Sequence, residues 1–358
     1  MNYVNSILEV IGKTPLLKLN RVGSDVDANV FVKLEHLNPS GSYKDRMALA
    51  MVEASERGET WNGRKLLPGG TVVEASAGNT APAVALVCAA KGYKSKIFLY
   101  RYNFTNGVDA RLKITQAYGP TVEISSEPEK YLSKEEMAAF TKENPDLPHV
   151  MAGKQDCALE EEKDSNTVWV DQIYNNANYI GQTEMGREIF DQLDGKVDAF
   201  GCSVSSGASL YGTCLGLKEK GLRPEITFGV VPEGSEQYFE LKNKEESGKD
   251  EFHVSDIKKR IADAMGLKKW VTEQSIVERM INAGYPDKIF CVTAEEARGM
   301  ANRLCSEEGI YCGMSSGANV AIALRIASRL KKGQNVVTLI VDRRDRYLSE
   351  YPSDKYVV

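Results

Sequence analysis

One lysine in this sequence occupies a position where its amine can do chemistry. Lys44 belongs to residues 38–46, NPSGSYKDR, which directly follow a predicted strand. Pro39 and Gly41 predict a turn, and Ser42 can cap the helix that follows. A lysine at such a junction is held at the carboxyl end of a strand, where the sites of α/β proteins form, and its amine can form a Schiff base. Taken alone, an exposed first-turn lysine is the commoner case.

Two turns rich in small residues also join predicted strands to predicted helices. Residues 74–80, EASAGNT, place backbone amides at a helix N-terminus, which favours an anion such as a carboxylate. Within them, Asn79 can donate to a phenolic or carbonyl oxygen. Residues 203–209, SVSSGAS, can form a nest of amides and hydroxyls for a phosphate. Because they lack a Walker lysine and a GxGxxG pattern, a single phosphate monoester is favoured over ATP or NAD.

A fourth cluster, residues 313–319 (GMSSGAN), opens a long alanine-rich helix. Its Ser315 can exchange a hydrogen bond with a heterocyclic nitrogen. By itself, each of the four clusters is also found at ordinary capped turns and helix starts, so none of them alone identifies a site.

The elements that must position these clusters alternate between β-rich runs and helical patterns, which indicates βαβ units and a mostly parallel sheet. The predicted strands are 30–35, 71–75, 96–100, 121–124, 197–204, 226–231, 288–292 and 336–341. The predicted helices are 80–91, 209–220, 294–308 and 316–332. Residues 125–165 predict a domain boundary with a polar insertion, and residues 233–286 a loop-plus-helix excursion. The charge runs of both are interpreted as solvated faces without a function.

Length and composition exclude several classes of protein. At 358 residues the chain predicts two domains, and its net charge of -5 argues against nucleic-acid binding. It has no signal-peptide pattern and no long apolar run, so we expect a cytoplasmic protein without a membrane span. The seven cysteines are scattered without a CxxC pair and there are three histidines, so no metal is expected.

In this order, the four clusters resemble those of the cysteine synthase and cystathionine β-synthase family of pyridoxal-phosphate enzymes. The resemblance runs from residues 11–16 (IGKTPL) to residues 346–349 (RYLS), and includes 171–178 (DQIYNNAN) and 194–198 (DGKVD). It implies an α/β fold of type II, similar to the tryptophan synthase β chain. Two domains of mostly parallel twisted sheet with flanking helices would hold the cofactor in the cleft between them.

The resemblance also implies roles for individual residues around pyridoxal 5'-phosphate. Lys44 matches the lysine that carries the cofactor as a Schiff base and then acts as the catalytic base. Asn79 matches the donor to the cofactor's 3-oxygen, and Ser315 matches the serine that faces the pyridine nitrogen. The residues that match the cofactor's phosphate loop are Ser205, Ser206, Gly207, Ala208 and Ser209. Those that match the groups binding the substrate carboxylate are Ser76, Ala77, Gly78, Asn79, Thr80 and Gln172.

The implied activity is β-replacement on an activated serine or on cysteine through an aminoacrylate. The second substrate would be sulfide or a thiol, and the product cysteine or a related β-substituted alanine. A serine at the pyridine nitrogen leaves that nitrogen unprotonated, which favours β-elimination over transamination. Two alternatives stay open: elimination without replacement, as in serine or threonine dehydratases or a cysteine desulfhydrase, and a catalytically silent binding or scaffold protein.

The resemblance further implies a homodimer and a division of the chain into two domains. The larger, cofactor-binding domain would combine residues 1–46 and 166–358, and the smaller, mobile domain would comprise residues 47–165 and close over the substrate. The sequence departs from the family at Ala77, which lacks the usual hydroxyl, and at Arg343 and Arg344, which replace small residues. The two arginines are either surface residues or partners for an extra acidic group on a substrate.

Overall fold

The computed structural model describes residues 3–100, 109–235, 239–241, 252–254, 257–267 and 274–350. Its strands are β1 (Leu16–Lys18), β2 (Asn29–Leu34), β3 (Thr71–Ala75), β4 (Lys94–Leu99), β5 (Thr121–Ile124), β6 (Thr167–Trp169), β7 (Ala199–Ser203), β8 (Ile226–Pro232), β9 (Phe239–Leu241), β10 (Phe252–Val254), β11 (Lys288–Val292) and β12 (Asn335–Ile340). The predicted strands all appear among them, with ends shifted by at most two residues.

The strands form two main sheets. The larger has the order β1-β2-β12-β7-β8-β11 and is parallel except for β1, which runs antiparallel to β2. The smaller, β5-β4-β3-β6, is parallel throughout, and β9 pairs with β10 in an antiparallel ribbon. All six residues of β12 are buried, as expected for a central strand whose two faces are both covered by helices.

Helices cover the sheets and carry the clusters at their N-termini. They are α1 (Lys44–Arg57), α2 (Thr80–Lys91), α3 (Asp109–Ala117), α4 (Lys134–Glu143), α5 (Leu147–Glu162), α6 (Ala177–Gln192), α7 (Ala208–Glu219), α8 (Ile257–Ala264), α9 (Ile276–Asn282), α10 (Ala294–Glu308) and α11 (Met314–Ala327). Among the described residues, the helices are all too short or too polar to cross a membrane. The predicted α/β class with parallel sheets and flanking helices is confirmed.

The prediction for residues 125–165 is wrong in one respect. This stretch contains α4 and α5, and α5 packs against β3 of the smaller sheet. Glu161, part of the acidic run that was interpreted as a solvated face, is 8% exposed and accepts a hydrogen bond from the Trp169 backbone N–H. Polar residues of α5 are buried because they find partners in the fold, which the composition of the segment does not reveal.

The division into two domains stays a proposal. The two sheets support it, since the strands of the smaller sheet all lie between residues 71 and 169. Because β6 pairs with β3, we now propose that the smaller domain extends to Trp169 instead of residue 165.

Candidate active site

A short segment after β12 joins the first and fourth clusters. The Val341 carbonyl accepts a hydrogen bond from the Tyr43 backbone N–H at 3.1 Å, and the Asp342 carbonyl accepts one from the Gly313 N–H at 3.2 Å. The Val341 N–H in turn donates to the Ser316 hydroxyl at 2.9 Å. The lysine turn and the start of α11 therefore lie on either side of residues 341–342.

The second and third clusters reach the same place through side chains. Asn79 donates from Nδ2 to Asp342 Oδ2 at 2.5 Å, and the Tyr43 side chain is hydrogen-bonded to the Ser209 side chain. All four clusters that the sequence singles out are thus brought together. Asp342, which contacts the first, second and fourth clusters, is a residue that sequence reasoning missed, although a carboxylate directly after a buried apolar strand is a weak signal for it.

Lys44 is the first residue of α1 and is buried, with 8% of its surface exposed. Its Nζ lies 4.8 Å from the centre of the Tyr43 ring. Burial lowers the pKa of this amine to about 8, while the charge of Glu74 acts in the opposite direction. Removal from water disfavours the ammonium form, so a neutral, nucleophilic amine is available near neutral pH.

The turn that presents Lys44 is anchored by charged side chains. Asp45 accepts hydrogen bonds from the Ser40 backbone N–H and hydroxyl, and Arg346 donates to the Gly41 and Ser40 carbonyls. Arg46, also in the first turn of α1, pairs with Glu35 at 2.8 Å. The backbone that carries Lys44 is therefore held by several buried polar contacts.

The predicted carboxylate-binding residues lie at the N-terminus of α2. The Ser76 hydroxyl accepts a hydrogen bond from the Gly78 N–H at 3.1 Å, and the Thr80 hydroxyl donates to Gln172 Oε1 at 2.7 Å. The sequence places Gln172 and Thr80 far apart, and the fold makes them neighbours. Ala77 is buried and offers its backbone alone, since it has no hydroxyl.

A buried ionic cluster beneath this loop was missed by the sequence analysis. Lys154 of α5 lies 2.8 Å from Glu74 Oε1 and 3.3 Å from Asp171 Oδ1. Burial disfavours the charged lysine, but the Glu74 and Asp171 carboxylates nevertheless raise the pKa of Lys154 well above its usual value. Glu74 also accepts the Gln172 backbone N–H at 3.1 Å. The cluster therefore supports Gln172 from below. Glu74 and Asp171 stand in the quoted motifs EASAGNT and DQIYNNAN, whereas Lys154 stands in none of them.

The third cluster forms the start of α7. Gly207 has a φ of +82°, a conformation that favours glycine, and its added Cβ would lie 3.1 Å from the Val277 Cα. Ser205 is exposed, whereas Ser206, Ala208 and Ser209 are buried. The N–H groups at this helix start, together with the serine hydroxyls, suit a phosphate.

The two serines of the fourth cluster differ in their surroundings. Ser315 is exposed in the first turn of α11, while Ser316 is buried and accepts the Val341 N–H. The hydroxyl that sequence reasoning selected, that of Ser315, is thus the accessible one.

Arg343 and Arg344 differ in exposure and in contacts. Arg343 is exposed and pairs with Asp345 at 2.8 Å, as a surface residue does. Arg344 is 3% exposed, hydrogen-bonds Asn302 of α10, and lies 5.7 Å from the centre of the Tyr311 ring. Arg344 is therefore not a surface residue, and its described partners lie within the protein.

The donor set fits pyridoxal 5'-phosphate. A buried amine with a lowered pKa can bind an aldehyde, a helix start with a positive-φ glycine can take a phosphate, and the Asn79 amide has an N–H left to donate. The buried Asn79 Oδ1 has no hydrogen-bond partner among the described residues. These groups converge on one region and define a site of the pyridoxal-phosphate class.

Comparison with known proteins gives the family. Residues 7–342 match the profile described as "Pyridoxal-phosphate dependent enzyme", and the chain belongs to this family. It is 34% identical over 352 residues to cysteine synthase 1 of Emericella nidulans, covering 96% of this chain and 84% of that protein. It is 32% identical over 348 residues to cysteine synthase B of Salmonella typhimurium, covering 97% of this chain and 95% of that protein.

A solved structure agrees with these relatives. The hydrogen sulfide-producing enzyme from Fusobacterium nucleatum superposes with a TM-score of 0.72 at 27% identity, covering 97% of this chain and 99% of that one. The predicted family, fold class, cofactor and cysteine-synthase type of activity are confirmed. The roles of the individual site residues stay predictions.

Proposed function

We propose that this enzyme replaces the β-substituent of an activated serine with sulfide or a thiol, giving cysteine or a related β-substituted alanine. The observation that carries the proposal is the Lys44 amine, buried with a pKa of about 8 where the four clusters meet. A silent scaffold would have no use for a buried amine of this kind, since burying it costs free energy.

Lys44 would hold the cofactor's aldehyde covalently and, once freed by the incoming amino acid, take the proton from the substrate Cα. An amine with a pKa near 8 is suited to this task, because both its neutral and its protonated forms are populated near neutral pH. When bound, pyridoxal 5'-phosphate supplies an electron sink for the negative charge that develops at Cα.

The remaining residues would bind and orient. The backbone amides of residues 76–80, with the Gln172 side chain, would hold the substrate carboxylate at the N-terminus of α2. Residues 205–209 would hold the cofactor's phosphate at the start of α7, and Ser315 would face the pyridine nitrogen. A neutral hydroxyl at that nitrogen leaves it unprotonated, which favours elimination and replacement at the β-carbon.

Two further proposals concern the oligomeric state and the cellular location of the enzyme. We propose a homodimer, supported by the exposed apolar side chains of Tyr3, Val4, Ile7 and Val10 near the N-terminus. We also propose a cytoplasmic location, supported by the seven cysteines, all of which are free thiols.

Elimination without replacement is the second candidate. It is favoured by the likeness to the Fusobacterium nucleatum enzyme, whose description as hydrogen sulfide-producing fits release of sulfide from cysteine. A panel of O-acetylserine, O-phosphoserine, serine and cysteine, each with and without sulfide, separates the two. Cysteine formed only when sulfide is present supports replacement, whereas turnover that needs no nucleophile supports elimination.

The Lys44→Ala variant tests the site itself. We expect it to lose both turnover and the absorbance at roughly 410–430 nm that a Schiff-base cofactor gives. A variant that keeps its colour and its turnover would show that the cofactor is attached elsewhere. Lys13→Ala, an exposed lysine on the surface, is the matched control and should keep both.

A further inference from the structure

The Asp342 carboxylate is buried where the four clusters meet, with 1% of its surface exposed. Its Oδ2 accepts hydrogen bonds from Asn79 Nδ2 and from the Tyr347 hydroxyl, each 2.5 Å long. Its Oδ1 has no hydrogen-bond partner among the described residues. Burial raises the pKa of this carboxyl, and the bonds from Tyr347 and Asn79 oppose that shift. An acid in this place costs free energy that its contacts must offset.

A glycine beside Asp342 leaves space for its carboxylate. A Cβ added at Gly313 would lie 2.5 Å from Asp342 Oδ1 and 2.6 Å from Tyr347 Cε2. Only glycine leaves this space open, because real Cβ atoms do not approach other atoms so closely. Glycine at position 313, at the start of α11, thus leaves room for the side chains of Asp342 and Tyr347.

The contact with Asp342 decides which way the Asn79 amide faces. A side-chain amide presents either a nitrogen with two protons or an oxygen with none, and an ionised carboxylate only accepts. The nitrogen of Asn79 must therefore face Asp342. One of its two protons is used there, and the second remains for another acceptor.

We propose that Asp342 is a positioning residue for the cofactor: by holding the Asn79 nitrogen, it directs the second N–H of that amide toward the cofactor's 3-oxygen. This inference rests on the proposed function, since it takes Asn79 as the donor to that oxygen. Asn79 lies between β3 and α2, and Asp342 follows β12. The same bond therefore joins the two sheets beside the cofactor.

A binding experiment with the full-length apoenzyme tests this role without relying on turnover. The probe is 4'-deoxypyridoxine 5'-phosphate, which has the 3-oxygen and the phosphate but no aldehyde for Lys44. We expect Asp342→Ala to raise its dissociation constant by about tenfold, as loss of a hydrogen bond to a charged group does. Asp342→Asn should raise it by less than about threefold, because its amide oxygen can still accept from Asn79.

A double-mutant cycle shows whether Asp342 acts through Asn79. In an Asn79→Ala background, Asp342→Ala should have no further effect on the dissociation constant, because two residues that act as one unit are not additive. If the two substitutions weaken binding of the probe additively, Asp342 acts through general stability and not through Asn79. That result would overturn the proposal. Equal affinity of Asp342→Ala and the wild type would overturn it as well.

Controls separate folding from positioning. Asp345→Ala removes a surface carboxylate two residues away in chain order from Tyr347 and should leave the affinity unchanged. If Asp342→Ala does not fold, Asp342→Leu fills the same space without accepting a hydrogen bond and should give the same tenfold loss. A wild-type protein that binds neither the probe nor pyridoxal 5'-phosphate would overturn the proposed function itself, a result distinct from the failure of Asp342 alone.

Discussion

Two buried ionic clusters flank the candidate site, and they are built differently. Beneath α1, the Glu188 carboxylate is shared by Lys33 at 2.6 Å and Arg46 at 2.8 Å, and Arg46 also pairs with Glu35. Beneath the α2 loop, Lys154 alone is shared by the two carboxylates of Glu74 and Asp171. The first cluster is a chain of pairs among two cations and two carboxylates, whereas in the second a single lysine compensates two carboxylates.

The difference matters for Lys44. After burial, the largest influences on the pKa of Lys44 include the charges of Glu74 and Lys154, which belong to the second cluster. The cluster beneath α1 therefore fixes the backbone that carries the lysine, whereas the cluster beneath the α2 loop influences its proton affinity.

The largest effect should follow from removing the shared lysine. We expect Lys154→Met to lower the free energy of unfolding by about 3–5 kcal/mol, because it leaves the buried Glu74 carboxylate without its described ion pair. Urea unfolding measures this loss. Arg187→Met, which breaks an exposed network with Glu184 and Glu219, is the matched control and should cost less than about 1 kcal/mol. Equal losses in the two variants would contradict the distinction between buried and exposed networks.

The first cluster should affect the stability of the fold at low pH. Burial opposes ionisation of Glu188, but hydrogen bonds from Arg46 and Lys33 lower the pKa of this carboxyl from 4.5 to about 2. Because the pKa is lower in the folded state, Glu188 stabilises the fold above pH 4.5, and this contribution is lost as the pH falls toward 2. We expect Glu188→Gln to flatten the dependence of unfolding free energy on pH across that interval. An unchanged slope in urea unfolding would argue against the pairing.

The smallest effect should be on Lys44 itself. Glu74 raises the pKa of the Lys44 amine, so Glu74→Gln should lower it below its value of about 8. The pH dependence of amine labelling at Lys44, followed by mass spectrometry of the apoenzyme, measures the shift. Glu35→Gln, in the other cluster, should leave the labelling curve in place. A shift in the Glu35 variant would mean that both clusters act on the lysine.

The sequence predicted those parts of the fold whose signals are local. The bounds of β3, α2 and α10 match the prediction, because β-branched runs and cap residues mark their ends: Gly92 and Gly309 both close helices with positive φ. The strands β1, β6, β9 and β10 were missed, since three residues carry too little pattern to predict a strand. The bounds of α5 were missed because its buried face includes Lys154, Asp156 and Glu161.

The residues of the candidate site also fall into those that the sequence could predict and those that it could not. Lys44, Asn79 and Ser315 stand in motifs whose order indicates the family, so the sequence alone could propose them. Asp342 and Lys154 stand in no motif, and their importance depends on partners that are distant along the chain, such as Asn79 and Glu74. Burial of a charged residue is decided by tertiary contacts, which single-residue patterns do not record.

The position of β12 in the larger sheet has a consequence for synthesis of the chain. Among the described strands β12 is the last to be translated, but it lies between β2, one of the first, and β7. A growing chain that ends before Asn335 has a gap in the middle of that sheet and lacks Asp342. The smaller sheet can assemble on the ribosome before β12 has been made, while the cofactor site can form only after Asp342 has been added.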